Sequence, residues 1–280
     1  MTLFSRLLIG IAAFATAAPA FAADYDPPIV VDQAPEYQPV EIGNGWYLRG
    51  DVGYAVRTST GPVTYRTFTA PNIYGAAAFD TEAITTGFNY GVGAGYRFTD
   101  YLRADATIER INGRFAGTTT SATPCLPTAP YVGTTCRSED ASSFVGGVGM
   151  VNAYADLGTI SGFTPYVGAG VGLAYLRWNS LTNTTYCVDG GTVCPAGLID
   201  VTNHTGYANW RMTWALMAGM SYDMSKNTKI DFGYKYRSVA GGNMFNFDAA
   251  SIAAGASGVQ GTDGGFSQHE IKVGLRYELW

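Results

Sequence analysis

The sequence is poor in charge and lacks long apolar runs. Only 14% of its 280 residues are charged, well below the ~25% typical of soluble globular domains. After the amino-terminal region, no segment reaches eighteen consecutive apolar residues, so no membrane-spanning helix is predicted. The formal net charge is −5, which argues against a nucleic-acid partner because such a partner requires a basic face.

The amino terminus has the features of a secretory signal peptide. Arg6 is the sole charge in this region, an apolar run covers residues 7–15, and Ala20-Phe21-Ala22 is a small-x-small cleavage site. The run is too short to cross a membrane. We therefore predict a signal peptide over 1–22, followed by a Pro- and acid-rich periplasmic leader over 23–45.

Cysteine is scarce, and its spacing argues against a metal site. The chain has four cysteines and no Cys-x-x-Cys pair, and we predict neither metal nor cofactor. An even count outside the cytoplasm predicts disulfides. The pairs Cys125–Cys136 and Cys187–Cys194 close the shortest loops and are favoured, with a cross-loop pair as the alternative.

Alternation with a period of two dominates the rest of the chain. In the last stretch, Ile271, Val273 and Leu275 alternate with Lys272 and Gly274, which predicts a strand with an apolar and a polar face. The same alternation recurs seven times upstream. The eight predicted strands cover residues 46–57, 87–98, 101–112, 143–157, 164–178, 209–222, 227–239 and 268–280.

The connections between these strands alternate in length. Four are long, at 58–86, 113–142, 179–208 and 240–267, and three are short, at 99–100, 158–163 and 223–226. Long outer loops and short periplasmic turns are typical of outer-membrane barrels. The sequence thus predicts an all-β fold: an eight-stranded antiparallel up-and-down transmembrane β-barrel over 46–280, with four long extracellular loops and three short periplasmic turns.

The cost of exposing charge to lipid decides which face is which. A Lys or Arg on the lipid side at the bilayer midplane costs roughly 2–4 kcal/mol, so the charged stripes are predicted to face the lumen. The aromatics near the strand ends, Trp46, Tyr47, Phe98, Tyr101, Trp178, Trp210, Tyr277 and Trp280, are expected at the membrane interfaces. The predicted lumen charges are Arg49, Asp51, Arg57, Arg97, Arg103, Asp105, Glu109, Asp156, Arg211, Lys229, Asp231, Lys235, Arg237, Lys272 and Arg276, together with Glu270 and Glu278.

The two signs are nearly balanced in this set. An eight-stranded barrel is just wide enough for side chains to fill it, and buried charges must pair. A lumen plugged by ion pairs is therefore favoured over the alternative, a narrow and slightly anion-preferring channel.

Three segments resemble a known family. They are GWYLRGDVGY at 45–54, Asn152-x-Tyr154-x-Asp156, and TPYVGxG at 164–170. Together they resemble the small OmpA-like outer-membrane barrels of alphaproteobacteria, a group that includes surface antigens and hemin-binding proteins. In form, the terminal strand is similar to the assembly signal of such barrels, with Leu279 in the usual aromatic place. The resemblance implies a structural or surface-interaction role and no single chemistry.

The two histidines are candidate functional residues. His204 with Tyr207 is a weak candidate for hemin ligation, and an ordinary loop histidine is the favoured interpretation. His269 with Ser267 would resemble a lipid hydrolase only if Glu82 or Asp263 supplied the acid. Polar residues at the lipid headgroup level are favoured there, and we predict no enzyme activity.

The functional prediction is a monomeric structural barrel in the bacterial outer membrane that stabilises the envelope and presents surface loops. The alternatives are a narrow solute or ion porin, and an adhesin or hemin-binding surface protein. The expected partners are outer-membrane lipid and lipopolysaccharide, the barrel assembly machinery and an extracellular ligand at the loops.

Overall fold

The computed structural model of the chain describes residues 45–121, 125 and 133–279. They form one antiparallel sheet of thirteen strands and a short helix, α1 (Ala249–Ala253). No helix in these ranges is long and apolar enough to cross a membrane. The strands are β1 (Gly45–Thr60), β2 (Val63–Thr69), β3 (Ile73–Ala78), β4 (Thr81–Thr86), β5 (Phe88–Arg97), β6 (Leu102–Thr120), β7 (Thr135–Asp156), β8 (Phe163–Trp178), β9 (Leu181–Asp189), β10 (Thr192–Gly206), β11 (Ala208–Asp223), β12 (Thr228–Asp248) and β13 (Val259–Glu278).

The long strands follow one another along a continuous pairing path. β1 pairs with β5, and pairing continues through β6, β7, β8, β11, β12 and β13. β13 also pairs with β1, with Leu48 opposite Tyr277 and Val52 opposite Val273. The predicted all-β antiparallel up-and-down architecture is confirmed. The predicted signal peptide and the leader up to residue 44 lie outside the described residues.

The segments predicted as long loops contain most of the additional strands. β6 and β7 pair as far as Thr120 opposite Arg137. β9 and β10 form a hairpin beside β7, and β2 and β3 form another beside β13. The structure therefore has thirteen strands where the sequence predicted eight. These segments are rich in β-branched threonine, which favours strands, and pairing satisfies backbone groups that a long loop would leave open.

The two faces of the long strands differ in burial, and we call the buried face the inner face. On β1, Leu48 and Val52 are exposed, whereas Arg49 and Asp51 are only 5% and 9% exposed. On β7, Val151 is exposed and Asn152 is buried. Apolar side chains thus lie on the outer face and charged side chains on the inner face, the reverse of a soluble protein.

Aromatic pairs on the outer face cluster towards both ends of the long strands. The predicted interface positions Tyr47 and Trp178 are wrong, because both side chains are buried on the inner face. Trp280 lies outside the described residues. The pairs near one end are Trp46–Tyr96 and Phe163–Tyr222, with ring centroids 5.3 and 4.7 Å apart, and those near the other end are Tyr54–Phe88 and Tyr175–Trp210, at 4.8 and 5.0 Å.

The inner face also carries an apolar layer that the sequence analysis did not predict. Phe144 lies 4.8 Å from Trp178 and 5.5 Å from Phe266, measured between ring centroids. This layer lies towards the start of β7, whereas the charged residues lie towards its end. Its main members are Ile111, Phe115, Phe144, Val148, Leu176, Trp178, Met244 and Phe266.

Removing one ring from this layer tests how tightly it is packed. We expect Phe144→Ala to lower the free energy of unfolding by ~3–5 kcal/mol, because the cavity it leaves loses both apolar burial and packing. Val151→Ala, on the outer face, is the control and should cost less. Urea unfolding of the refolded protein in lipid vesicles measures both, and equal losses would contradict a packed apolar layer.

Candidate functional site: the charged inner face

Most of the predicted lumen charges lie together on the inner face. Arg97 and Lys229 are partly buried near strand ends, and Arg57 is exposed. The fully buried members of the predicted set are Arg49, Asp51, Arg103, Asp105, Glu109, Asp156, Arg211, Asp231, Lys235, Arg237, Lys272 and Arg276, with Glu270 beside them.

Arg57 departs from the prediction because the strand changes phase before it. The register of β1 against β13 shifts between Ala55 and Arg57, and Arg57 lies opposite His269. A β-bulge of this kind inserts one residue and reverses the alternation beyond it. Val56 and Arg57 are consequently both exposed, and the prediction that Arg57 faces the lumen is wrong.

Arg49 is the centre of the first charge network. Its guanidinium donates to Asp51 at 2.8 Å, to Asp105 at 2.6 Å and to the Tyr154 hydroxyl at 2.9 Å. The Lys272 ammonium lies 3.3 Å from the Asp51 carboxylate. One guanidinium thus joins strands β1, β6 and β7 across the interior, as its fork of donors allows.

A second network holds two cations between two carboxylates. The Lys235 Nζ lies 2.8 Å from Glu109 and 3.1 Å from Glu270. Arg237 contacts the Glu109 carboxylate and lies 3.9 Å from Glu270. Two positive and two negative groups are thus buried together, so their charges balance.

The remaining buried arginines are held in similar ways. Arg103 donates to Asp156 at 3.1 Å, and its guanidinium lies 4.2 Å from the centre of the Tyr154 ring. Arg276 lies 3.3 Å from Asp231. Buried arginines are therefore stabilised both by carboxylates and, through cation–π contacts, by tyrosine rings.

Paired cations also lie near the ends of the long strands. Arg211 lies 2.8 Å from Asp263 and Lys229 lies 2.5 Å from Asp223. Arg97 contacts Glu278. Each of the cations named here thus has a carboxylate partner on the inner face or at its edge.

Inner-face glycines make room for these side chains. A Cβ at Gly95 would collide with the Tyr47 ring, and one at Gly274 would collide with the Asp51 carboxylate. Such close approach of other groups is what glycine in a strand permits. The high glycine content therefore complements the large polar residues inside.

Uncharged polar side chains also contribute to the inner face. The Tyr47 hydroxyl donates to Asp105 at 3.1 Å, and Asn152 donates to the same carboxylate at 2.7 Å. Asp263, considered only as a loop acid, is buried against Arg211. Alternation predicted the inward position of Asn152, whereas Tyr47, which shares the alternation of Arg49, was expected at the membrane interface instead.

His204 lies in a small cavity outside the charged inner face. It is buried on β10, with its ring centroid 5.6 Å from that of Phe245. The cavity measures about 80 Å³ and is also lined by Asp140 and Gln260. Small-ligand pockets are usually ~300–1,000 Å³, so this cavity does not fit hemin. Tyr207, the residue named with His204 for hemin ligation, donates its backbone N–H to the Met244 carbonyl at 2.8 Å.

Burial perturbs both titratable groups of this cavity. It raises the pKa of Asp140 to about 6, although the hydrogen bond from Asn183 opposes the shift. Burial lowers the pKa of His204, against the nearby charge of Asp248. Burial thus outweighs the opposing interactions and shifts both groups towards their neutral forms.

The structure does not assemble the hydrolase residues. The His269 Nδ1 lies 2.5 Å from the Tyr234 hydroxyl, and Ser267 lies opposite Ser59 and Ser238. Asp263 is bound to Arg211, and Glu82 lies on β4 opposite Gly117. His269 is therefore held by a tyrosine, and neither proposed acid orients it.

Both disulfides join cysteines of the same predicted loop, as the sequence analysis favoured. They are Cys125–Cys136, which joins a residue before β7 to the start of β7, and Cys187–Cys194, across the β9–β10 hairpin. Cys136 lies opposite Cys187 in the β7–β9 register. The two bonds thus lie beside one another at the same end of the sheet.

The family model for the outer membrane protein beta-barrel domain matches residues 9–278. The chain belongs to this family. It is 34% identical to an uncharacterised protein of Brucella suis over 89% of this chain and 91% of that protein. A candidate adhesin of Rickettsia conorii is 24% identical, over 85% and 84%. The solved structure of Neisserial surface protein A has a TM-score of 0.41 and 16% identity, over 84% and 97%.

Membership of this family confirms the resemblance drawn from the three sequence segments, and it places the chain in the bacterial outer membrane. An apolar outer face and a charged inner face agree with this location, because charge is costly beside lipid.

Breaking a buried pair should cost much more than breaking an exposed one. Asp156→Asn leaves the buried Arg103 without its carboxylate, so we expect a loss of ~3–5 kcal/mol in the free energy of unfolding. Glu139→Gln is the matched control, because its pair with Arg137 is more than half exposed and should contribute ~0–1 kcal/mol. If the two variants lose similar amounts of unfolding free energy in urea, Arg103 does not lie in a water-free interior.

The raised pKa of Asp140 predicts a pH dependence of stability. The folded protein binds the proton more tightly than the unfolded chain, so wild type should gain stability relative to Asp140→Asn as pH falls from 7 to 4, and lose it as pH rises through about 6. Urea unfolding at several pH values measures this difference. Asp100→Asn, in an exposed turn, controls for the loss of one carboxylate. A pH-independent difference for Asp140→Asn would refute the prediction.

Proposed function

We propose that the protein is a structural outer-membrane barrel of eight transmembrane strands with a sealed lumen and a folded extracellular extension. The continuous pairing path that returns from β13 to β1 supports the barrel. In this proposal β1, β5, β6, β7, β8, β11, β12 and β13 cross the membrane, and the remaining strands belong to the extracellular part.

The aromatic pairs of the outer face support the placement of the membrane. Tyr54 follows Trp46 by eight residues, or ~26 Å of strand. A strand tilt of ~40° reduces this to roughly 20 Å along the barrel axis, close to the ~25 Å apolar band of such proteins. We expect the lipid of the outer membrane to contact this band.

The sealed lumen is supported mainly by two layers of buried side chains, one charged and one apolar, that lie at successive levels of the interior. The networks around Arg49 and Lys235 occupy one level, and the apolar layer around Phe144 occupies the next. Ions entering from either end would have to separate buried pairs or cross an apolar plug. Both steps are costly for a charged solute.

The remaining parts of the proposal concern assembly and partners. The terminal strand β13, which pairs with both β12 and β1, would be the element that the barrel assembly machinery recognises. We propose a monomer that stabilises the envelope and presents its extension to an extracellular ligand.

Conductance in a planar bilayer tests the sealed lumen. We expect no steady openings from refolded protein whose insertion is verified by the difference in gel mobility between folded and heated samples. A general porin in the same bilayers serves as the positive control. Reproducible openings that depend on ion type would overturn the proposal and favour the narrow porin.

An adhesin is the second candidate, and the extracellular hairpin favours it. The β9–β10 hairpin exposes Val193, Leu198 and Val201, and a disulfide closes it. Exposed apolar groups that lie outside the membrane band are suited to protein contacts. The similarity to the rickettsial candidate adhesin points the same way.

Surface display tests the adhesin candidate. A non-adherent bacterium that displays the full chain should bind epithelial cells, and the variant V193S/L198S/V201S should bind several-fold less. V151S, on the lipid-facing side, is the control at equal surface abundance. Absence of adhesion by the full chain would remove this candidate and leave the sealed barrel unaffected.

A further inference from the structure

Four arginines break the rule that charge lies on the inner face. Arg57, Arg110, Arg114 and Arg177 are exposed on the outer face. None forms an ion pair within the described ranges 45–121, 125 and 133–279. An unpaired arginine is costly beside lipid tails, so these side chains require an anionic or aqueous neighbour.

Strand register places these arginines close together. Arg110 lies opposite Gly147, and Gly147 lies opposite Tyr175. Arg177 lies opposite Val145, which is two residues before Gly147 on β7. Neighbouring strands are ~4.8 Å apart, so Arg110 and Arg177, separated by one strand, can reach a common ligand.

A groove begins beside these two arginines and continues along the lipid-facing surface. Its upper part measures about 470 Å³ and includes Arg110 and Arg177. Its lower part measures about 650 Å³ and is lined by Ile108, Val171 and Leu173. The groove is therefore cationic at one end and apolar along the rest of its length.

Glycine forms the floor of this groove. A Cβ at Gly147 or Gly149 would meet no atom within 4 Å, so neither glycine is required by packing within the sheet. Glycine also weakens a strand. Its presence at these two positions leaves open a depression that any larger side chain would fill.

The cationic end lies at the level of the outer membrane–water interface. Arg110 is in register with Tyr90 on β5, and Tyr175 and Trp210 form an aromatic pair in the same row. Arg57 and Arg114 lie further towards the extracellular extension, on either side of β4. Phosphate groups of the outer leaflet occupy this level, and arginine binds phosphate through two parallel hydrogen bonds.

We propose, on the membrane placement of the proposed function, that this groove is a binding site for lipopolysaccharide. Arg110 and Arg177 bind a phosphate of its lipid A, and one acyl chain lies in the groove over Gly147 and Gly149. The groove matches this lipid in both charge and shape. The phosphorylated headgroup lies against the arginines at one end, and the attached acyl chain lies along the apolar part. Arg57 and Arg114 extend the cationic surface towards further anionic groups of the same lipid.

Binding of lipid A to the refolded full chain in nanodiscs, measured by native mass spectrometry, tests the site. We expect R110Q/R177Q to weaken binding at least about tenfold, since each lost charge-assisted hydrogen bond carries a substantial part of the affinity. K226Q, which removes an exposed cation from the turn before β12, should bind as wild type does. Equal binding by R110Q/R177Q and wild type would overturn the proposal.

A second variant and two further lipids separate the parts of the site. Gly147→Ile places a β-branched side chain in open space, so it should keep the fold and weaken binding by filling the groove. Dephosphorylated lipid A should bind weakly to wild type. If it binds as well as lipid A, or if phosphatidylglycerol does, the site does not select lipopolysaccharide and the proposal fails.

Discussion

A charge buried between strands must have a partner of opposite sign, and the interior of this protein is arranged around that requirement. Lys235 and Arg237 each lie against Glu109 and Glu270. An isolated charge in such surroundings would cost several kcal/mol. The partners come from β6, β12 and β13, and β6 is distant in sequence from the other two. The ion pairs can therefore form only when these strands have the correct register.

The same requirement explains the other features of the inner face. Large paired side chains need space, and the glycines opposite Tyr47 and Asp51 provide it. Where the charges end, aromatic rings around Phe144 fill the interior. The outer face has the opposite chemistry: its side chains are mostly apolar, as the proposed contact with lipid requires, and its unpaired arginines form part of the proposed lipid site.

Much of this arrangement was predictable from the sequence, because strand alternation has an unambiguous period. Alternation alone identified the buried position of Arg49, Arg103 and Lys235 and the exposed position of Val151. It failed at Arg57, where a bulge changes the phase, since nothing in the local sequence marks an inserted residue. The pairing of particular charges was also beyond prediction, because it depends on register between strands distant in sequence.

The five strands beyond the predicted eight were missed for a related reason. Residues 179–208 have many polar and β-branched side chains but no apolar stripe, so the period-two signal is weak. Their strands are specified by pairing with β7 and β12, which is tertiary information. The cavity beside His204 is likewise assembled from seven strands, namely β2, β6, β7, β9, β10, β12 and β13.

The most direct test of a dry, paired interior is the coupling energy between Glu109 and Lys235, measured at low and high salt. Wild type, E109Q, K235M and the double variant form the cycle, with unfolding followed in lipid vesicles. A coupling above ~1.5 kcal/mol that is the same at ~0.05 M and ~1 M salt is expected, because buried pairs are screened weakly. A coupling below ~0.5 kcal/mol that falls further with salt would show that water and ions reach the pair, and would contradict the sealed lumen.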